Sequence, residues 1–172
     1  MLDISALQKD TLHNVMLQQM YSLNHMWLML ELYIAEKAPQ DYGTDEYYRL
    51  YEDYGSHEAR RLVRSLGLPV GTIEDLADYL RHSHWAIFET IEITELSATS
   101  LRMRTRDCTA QKAARKWGLD HYDCGIGGLR IRTGFFGALN AGSTVQRVYA
   151  PGGQRPESVP PEVSCEWLVS LE

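Results

Sequence analysis

Residues 87–106, IFETIEITELSATSLRMRTR, decide the fold. Ile87, Ile91 and Ile93 take odd positions, and Thr90, Glu92 and Thr94 take even ones. Such alternation predicts a strand with one buried face. Leu101, Met103 and Thr105 alternate with Arg102, Arg104 and Arg106 in the same way. The link at 96–100 is short and polar, so the two strands form a hairpin.

Beyond the hairpin, 109–117 and 126–139 read as helices, the second carrying four glycines, and 144–149 and 165–171 as two more strands. Before it, the period is helical. Leu12, Val15, Met16, Gln19, Leu23, Met26, Trp27 and Leu30 recur at 3.6-residue spacing. Pro39 and Gly43 end that helix. A second helix runs from Thr44 towards Leu66, with Gly55 as a break and Gly67 and Pro69 closing it. Thr72 with Asp75 caps a short third helix through Leu80. The expectation is one α+β domain over 1–172, its helical N-terminal half packed on a small antiparallel sheet of about four strands.

The chain has 172 residues, enough for a substantial core. A net charge of −6 argues against nucleic acid as partner, because phosphate binding needs a dense basic footprint. No apolar run approaches the roughly 20 residues that span a bilayer, so no membrane partner is expected. No secretory signal is recognisable. Three cysteines are an odd count, which suits reduced thiols and a cytoplasmic setting.

The cysteines are Cys108, Cys124 and Cys165. Asp107 and Asp123 precede two of them as candidate N-caps, placing Cys108 and Cys124 at the first helical position. The positive helix end favours a thiolate there, and each aspartate opposes it. Cys165 shares a strand face with Trp167, Val169 and Leu171 and should point inward, whereas Glu166 points away. Three thiolates suit a tetrahedral zinc ion, with His121 or Asp123 as a fourth ligand. The spacings match no compact knuckle, and free cysteines often only pack. Cys124 with His121 three residues before it also allows a nucleophilic reading.

Other groups invite attention. Glu89 falls on the apolar face of its strand, where a carboxylate must be paired, hydrogen-bonded or functional. His25, Trp27 and Glu31 on the first helix suggest a small-ligand pocket, or a core tryptophan with solvated neighbours. One of His82 and His84 faces a cleft, or both cap the helix end or face water. Arg102, Arg104 and Arg106 hold an anion or pair with Glu92 on an exposed face. The Pro- and Gly-rich loop at 151–161 is a lid over Cys165 or a plain crossover.

The runs 54–62 (YGSHEARRL) and 107–113 (DCTAQKA), with Cys124 and the 165–167 run CEW, resemble the aminothiazoline-carboxylate hydrolase-like family of short prokaryotic cytosolic proteins, much of it without known function. There is a more distant likeness to the four-vinyl-reductase type of ligand-binding domain, where spaced cysteines hold zinc in some members. The resemblance covers most of the chain and is loose before Tyr21. It implies that Cys108, Cys124 and Cys165 share one site, and that Trp27 is the family's helix tryptophan. The family's Asp-Gly before it is replaced by Asn24 and His25. Tyr149, Ala150 and Pro151 stand where some relatives carry further cysteines, so a four-cysteine site is excluded.

The expected function is a metal-dependent hydrolase acting on a cyclic C–N bond of a small heterocycle. Zinc is held by Cys108, Cys124 and Cys165, Glu89 or His121 is the base, and Trp27, His25 and Glu31 contact substrate. The rival is a non-catalytic small-ligand-binding domain with structural zinc. A homodimer is compatible with either.

Overall fold

A computed structural model describes residues 8–118 and 123–172. His121, one of the two expected bases, lies outside the described residues. The chain divides into two compact units, Met1–Tyr42 and Gly43–Glu172.

The first unit is one long helix, α1 (Lys9–Lys37), followed by turns. Leu28 and Glu31 are its buried residues, while Met26, Leu30 and Tyr33 are exposed.

The second unit is α+β. Its elements are α2 (Asp45–Leu66), α3 (Ile73–Leu80), α4 (His84–Phe88), β1 (Thr90–Leu96), β2 (Ser100–Asp107), α5 (Thr109–Lys116), α6 (Gly125–Leu139), β3 (Ser143–Tyr149) and β4 (Cys165–Leu171). The four strands form one antiparallel sheet in the order β1-β2-β4-β3. Local chemistry sets the helix ends as the sequence implies. The Thr44 side chain accepts from Tyr47 N–H to open α2, and Gly67 closes it in the left-handed region at φ 63°. Thr72 and Asp75 form a reciprocal capping box on α3.

Two expectations are corrected. The alternation at 87–93 begins too early: Ile87 is in α4, and β1 starts at Thr90. Glu89 is therefore the residue that closes α4, not a strand residue. Gly55 does not break α2. A Cβ there would overlap the Ile131 carbonyl oxygen and sit 2.9 Å from Phe135 N, so glycine lets α2 and α6 touch main chain to main chain. Gly134 does the same from the α6 side, its Cβ position lying 2.7 Å from the Glu52 carbonyl carbon. Gly127 faces the Tyr51 ring on α2. Gly128 faces the sheet, where a Cβ would stand 3.1 Å from the Trp167 ring.

The core lies between α6, α3 and one sheet face. Leu76, Tyr79, Phe135, Phe136, Leu101, Met103, Trp167 and Val169 are essentially inaccessible to water. Phe135 and Phe136 meet edge to face with ring centroids 5.2 Å apart. On the opposite face, the arginines of β2 are paired. Glu166 is 1 % exposed and accepts from Arg102 at 2.8 Å and Arg104 at 2.5 Å. Arg106 pairs with Glu92 at 2.7 Å. The expected pairing with Glu92 holds for Arg106; Arg102 and Arg104 pair instead with the buried Glu166. The loop after β3 leads across to β4. Arg155 stacks on Tyr149 at 4.1 Å and donates to the carbonyls of Pro160 and Val163.

Candidate functional site

Strand register brings the cysteine-bearing segments to one end of the sheet. Thr90 pairs with Asp107, and Thr105 with Cys165. The start of β1, the end of β2 and the start of β4 therefore coincide. Glu89 and Cys108 stand one residue outside the first of these pairs. Their side chains meet, and Cys108 Sγ donates to Glu89 Oε1 at 3.5 Å. Cys165, on the core face of β4, lies directly across from Thr105. Cys124 opens α6 and accepts from Gln111 Nε2 at 3.5 Å.

The helix starts differ from expectation by one residue. Cys108 and Cys124 occupy the N-cap positions themselves. Asp123 accepts the Gly125 N–H at 2.7 Å, and Asp107 pairs with Lys112 outside α5. The crossover loop starts against this corner, since a Cβ on Gly152 would lie 2.8 Å from Asp123 Cβ.

Burial overrides the helix ends electrostatically. It is the largest cause pushing the Cys108 thiol far above its ordinary value. The negative charge of Glu89 adds to it, Cys165 and Cys124 contribute smaller amounts, and the Gln111 N–H opposes. Cys124 is pushed up to about 12 by burial and then by Cys165, against Gln111 and Arg132. Glu89 is raised by burial, opposed first by the Arg132 charge and then by the Cys108 hydrogen bond. The three sulfurs thus share one electrostatic neighbourhood with a carboxyl and a guanidinium. Burial thus favours the neutral thiol at both Cys108 and Cys124. All three cysteines are free.

Sequence reasoning missed Arg132. It is 4 % exposed, and its guanidinium lies between the rings of Trp85 at 4.6 Å and Trp167 at 4.5 Å. Nη1 donates to the Gly128 carbonyl at 3.0 Å. The signal was present: Gly128, Arg132, Phe135, Phe136 and Leu139 make one helical stripe, and a cation on a core stripe is anomalous. His84 was also misjudged. It is half-buried, its main-chain N–H and Nδ1 both meet the Glu58 carboxylate, at 2.6 and 2.5 Å, and its charge reaches Glu89. Tyr54, edge-on to His84 at 5.4 Å, has its hydroxyl pushed up to about 12 by burial and then by Glu58. His82 faces solvent with Nδ1 on the Asp78 carbonyl.

The structure sets Cys108 against Glu89 and brings Cys124 and Cys165 within electrostatic reach of Cys108. Trp27, His25 and Glu31 belong to the other unit, on α1, where Trp27 and His25 are exposed and Glu31 is buried. Thiols are soft donors that suit zinc. Among the described residues, no three His, Cys, Asp or Glu side chains are gathered closely enough to hold a metal ion as they stand. Zinc binding would draw Cys108, Cys124 and Cys165 together and release thiol protons. Among the described residues no helix is long and apolar enough to cross a membrane.

A family model described as "Family of unknown function (DUF6125)" matches residues 7–171. No curated protein and no solved structure matches the chain.

Proposed function

The chain belongs to that family of unknown function, and we propose that it is a small-molecule hydrolase whose site is the corner formed by Glu89, Cys108, Cys124 and Cys165. The observation that carries the reading is the contact between the Cys108 thiol and the Glu89 carboxyl. A folding core gains nothing from a carboxyl against a thiol, and Glu89, Cys108 and Cys124 are each raised above the ordinary pKa by burial, a mark of functional sites. Glu89, its carboxyl raised above the ordinary value by burial, exchanges a proton with Cys108 and with the leaving nitrogen of a bound substrate. The Arg132 charge biases that exchange. The reaction class, opening of a cyclic C–N bond in a small heterocycle, comes from the resemblance to aminothiazoline-carboxylate hydrolase-like proteins. Zinc on the three cysteines, when bound, supplies a Lewis acid and a water of lowered pKa. Three free thiols accord with a reducing, cytoplasmic setting.

A second reading is a non-catalytic small-ligand domain with structural zinc. It is favoured by the neutral thiols, which are poor nucleophiles at pH 7. Elemental analysis of protein purified without chelator decides the metal. One zinc per chain, lost in Cys108→Ser and Cys124→Ser, supports both zinc versions, and metal-free protein of full stability removes both. Turnover is then tested on thiazoline-type cyclic compounds, following the thiol or amine set free on ring opening. Glu89→Gln should abolish turnover with the fold intact. Binding without turnover selects the second reading.

A further inference from the structure

We propose that Arg132, clamped between Trp85 and Trp167, is an oxyanion-binding subsite that takes the carboxylate of a small organic molecule presented to the cysteine corner. This deepens the hydrolase reading and rests on it for the identity of the neighbouring chemistry.

The first argument is charge. A guanidinium at 4 % exposure needs a partner, because burying an unpaired charge is costly. Among the described residues no carboxylate forms an ion pair with Arg132. Its one side-chain hydrogen bond among them is Nη1 to the Gly128 carbonyl, and Glu89, whose charge it feels, makes none to it. Stacking on two indoles offsets part of the cost but supplies no acceptor for the N–H groups.

The second argument is hydrogen bonding. Among the described residues Arg132 Nε has no partner, nor have Trp167 Nε1 and Thr105 Oγ1. Trp167 is 1 % exposed and Thr105 fully buried. Native proteins leave few such groups unsatisfied, so three in one neighbourhood call for an explanation. They are close to one another. Thr105 pairs with Cys165 and Met103 with Trp167, which makes Thr105 and Trp167 diagonal neighbours on the core face, roughly 7 Å apart. The Arg132 guanidinium lies over the Trp167 ring. An indole N–H and a guanidinium Nε–H can only donate, and a hydroxyl can. An acceptor with several lone pairs and a negative charge suits such donors, and a carboxylate supplies both.

The third argument is construction. Gly128 is the residue that leaves room: a Cβ there would stand 3.1 Å from the Trp167 ring and 3.4 Å from Arg132 Nη1. The clamp thus depends on glycine one turn before the arginine, and it fixes the guanidinium plane before any ligand arrives. Cys165, two residues before Trp167 on the same strand face, puts the subsite beside the thiols.

Calorimetry and tryptophan fluorescence on the full chain test this, because Trp85 and Trp167 both stack on the cation. The probes are acetate, benzoate and, separately, inorganic phosphate and sulfate, in low-chloride buffer. Saturable benzoate or acetate binding is expected, with a tryptophan signal and with inorganic anions weaker. Trp167→Phe keeps the stacked ring and removes one donor, and should weaken binding about tenfold. Arg132→Lys should abolish it, with circular dichroism confirming the fold. The inference is overturned by absence of saturable binding, by Trp167→Phe binding at wild-type affinity, or by inorganic anions binding best. If carboxylates bind yet no heterocycle is opened, the hydrolase reading fails alone. If heterocycles with and without a carboxylate react equally and benzoate does not inhibit, this subsite fails alone.

Discussion

Two glycines three residues apart on α6 give opposite predictions. In Gly134→Ala, the new methyl carbon would overlap the Glu52 carbonyl oxygen and lie 2.7 Å from its carbon and 3.0 Å from its Cα. Ordinary carbon contacts are roughly 3.5–4.0 Å, so α2 and α6 must part by about 1 Å. The obstacle is main chain in the middle of a helix, which cannot rotate aside. Overpacking of this kind costs about 3 kcal/mol, the upper end of the usual range, and alanine's better helix propensity returns about 1 kcal/mol. The net loss is about 2 kcal/mol. Gly137 is exposed, and a methyl added there would meet nothing within 4 Å, so Gly137→Ala keeps only the propensity gain, about 0.5–1 kcal/mol. The two variants should differ by about 3 kcal/mol, or roughly 6–12 °C in Tm for a chain of this size. Urea unfolding followed by tryptophan fluorescence and far-UV circular dichroism measures the difference. Equal stability of the two variants, or a more stable Gly134→Ala, would refute the main-chain contact between α2 and α6.

The buried carboxylate of Glu166 is shared by Arg102 and Arg104, whose side chains are 25 % and 21 % exposed. Glu166→Ala should cost about 2–3 kcal/mol in urea unfolding, below the range for fully buried pairs because solvent reaches the cations; a loss under about 0.5 kcal/mol contradicts the pairing. Glu89 has a folded-state pKa above the ordinary 4.5, so the stability it contributes is complete below that value and falls as pH rises through the folded-state pKa. Glu89→Gln should therefore gain on the wild type as pH rises above 4.5, and a constant difference on that rise would show the carboxyl is not strained by burial. For Cys124 the ordinary value is 9.0 and the folded value about 12, so its contribution persists below pH 9 and disappears towards pH 12. Iodoacetamide should label Cys108 and Cys124 slowly at pH 7.5 in the folded protein and quickly in urea; fast labelling of the folded chain at pH 7.5 would mean thiolates, contrary to their burial.

The candidate site was legible in part. Cys108, Cys124 and Cys165 stand out by type alone, and Glu89 by its apolar neighbours, although that argument placed it on a strand when it closes α4. Its significance survives the correction because strand pairing, Thr90 to Asp107, sets it against Cys108 in either case. The direction of the thiol pKa shifts was not legible. A helix start lowers a thiol pKa through a local dipole visible in sequence, whereas burial raises it through atoms from distant segments, and here burial is larger. Arg132 was readable as a cation on a core stripe, but its two stacked tryptophans come from α4 and β4, some forty residues on either side.

Periodicity, caps and turn residues are local, and they determined most helix and strand bounds: Thr44, Gly67 and the Thr72–Asp75 box act on their own turn of chain. Alternation also set that Cys165 and Glu166 take opposite faces of β4, although both are buried. Only the tertiary structure decided the strand order, the glycine-mediated approach of α2 to α6, and the contact of the Cys108 thiol with the Glu89 carboxyl at one sheet end. These depend on contacts between segments far apart in the chain, and no residue's near neighbours encode the partner that packing will bring to it.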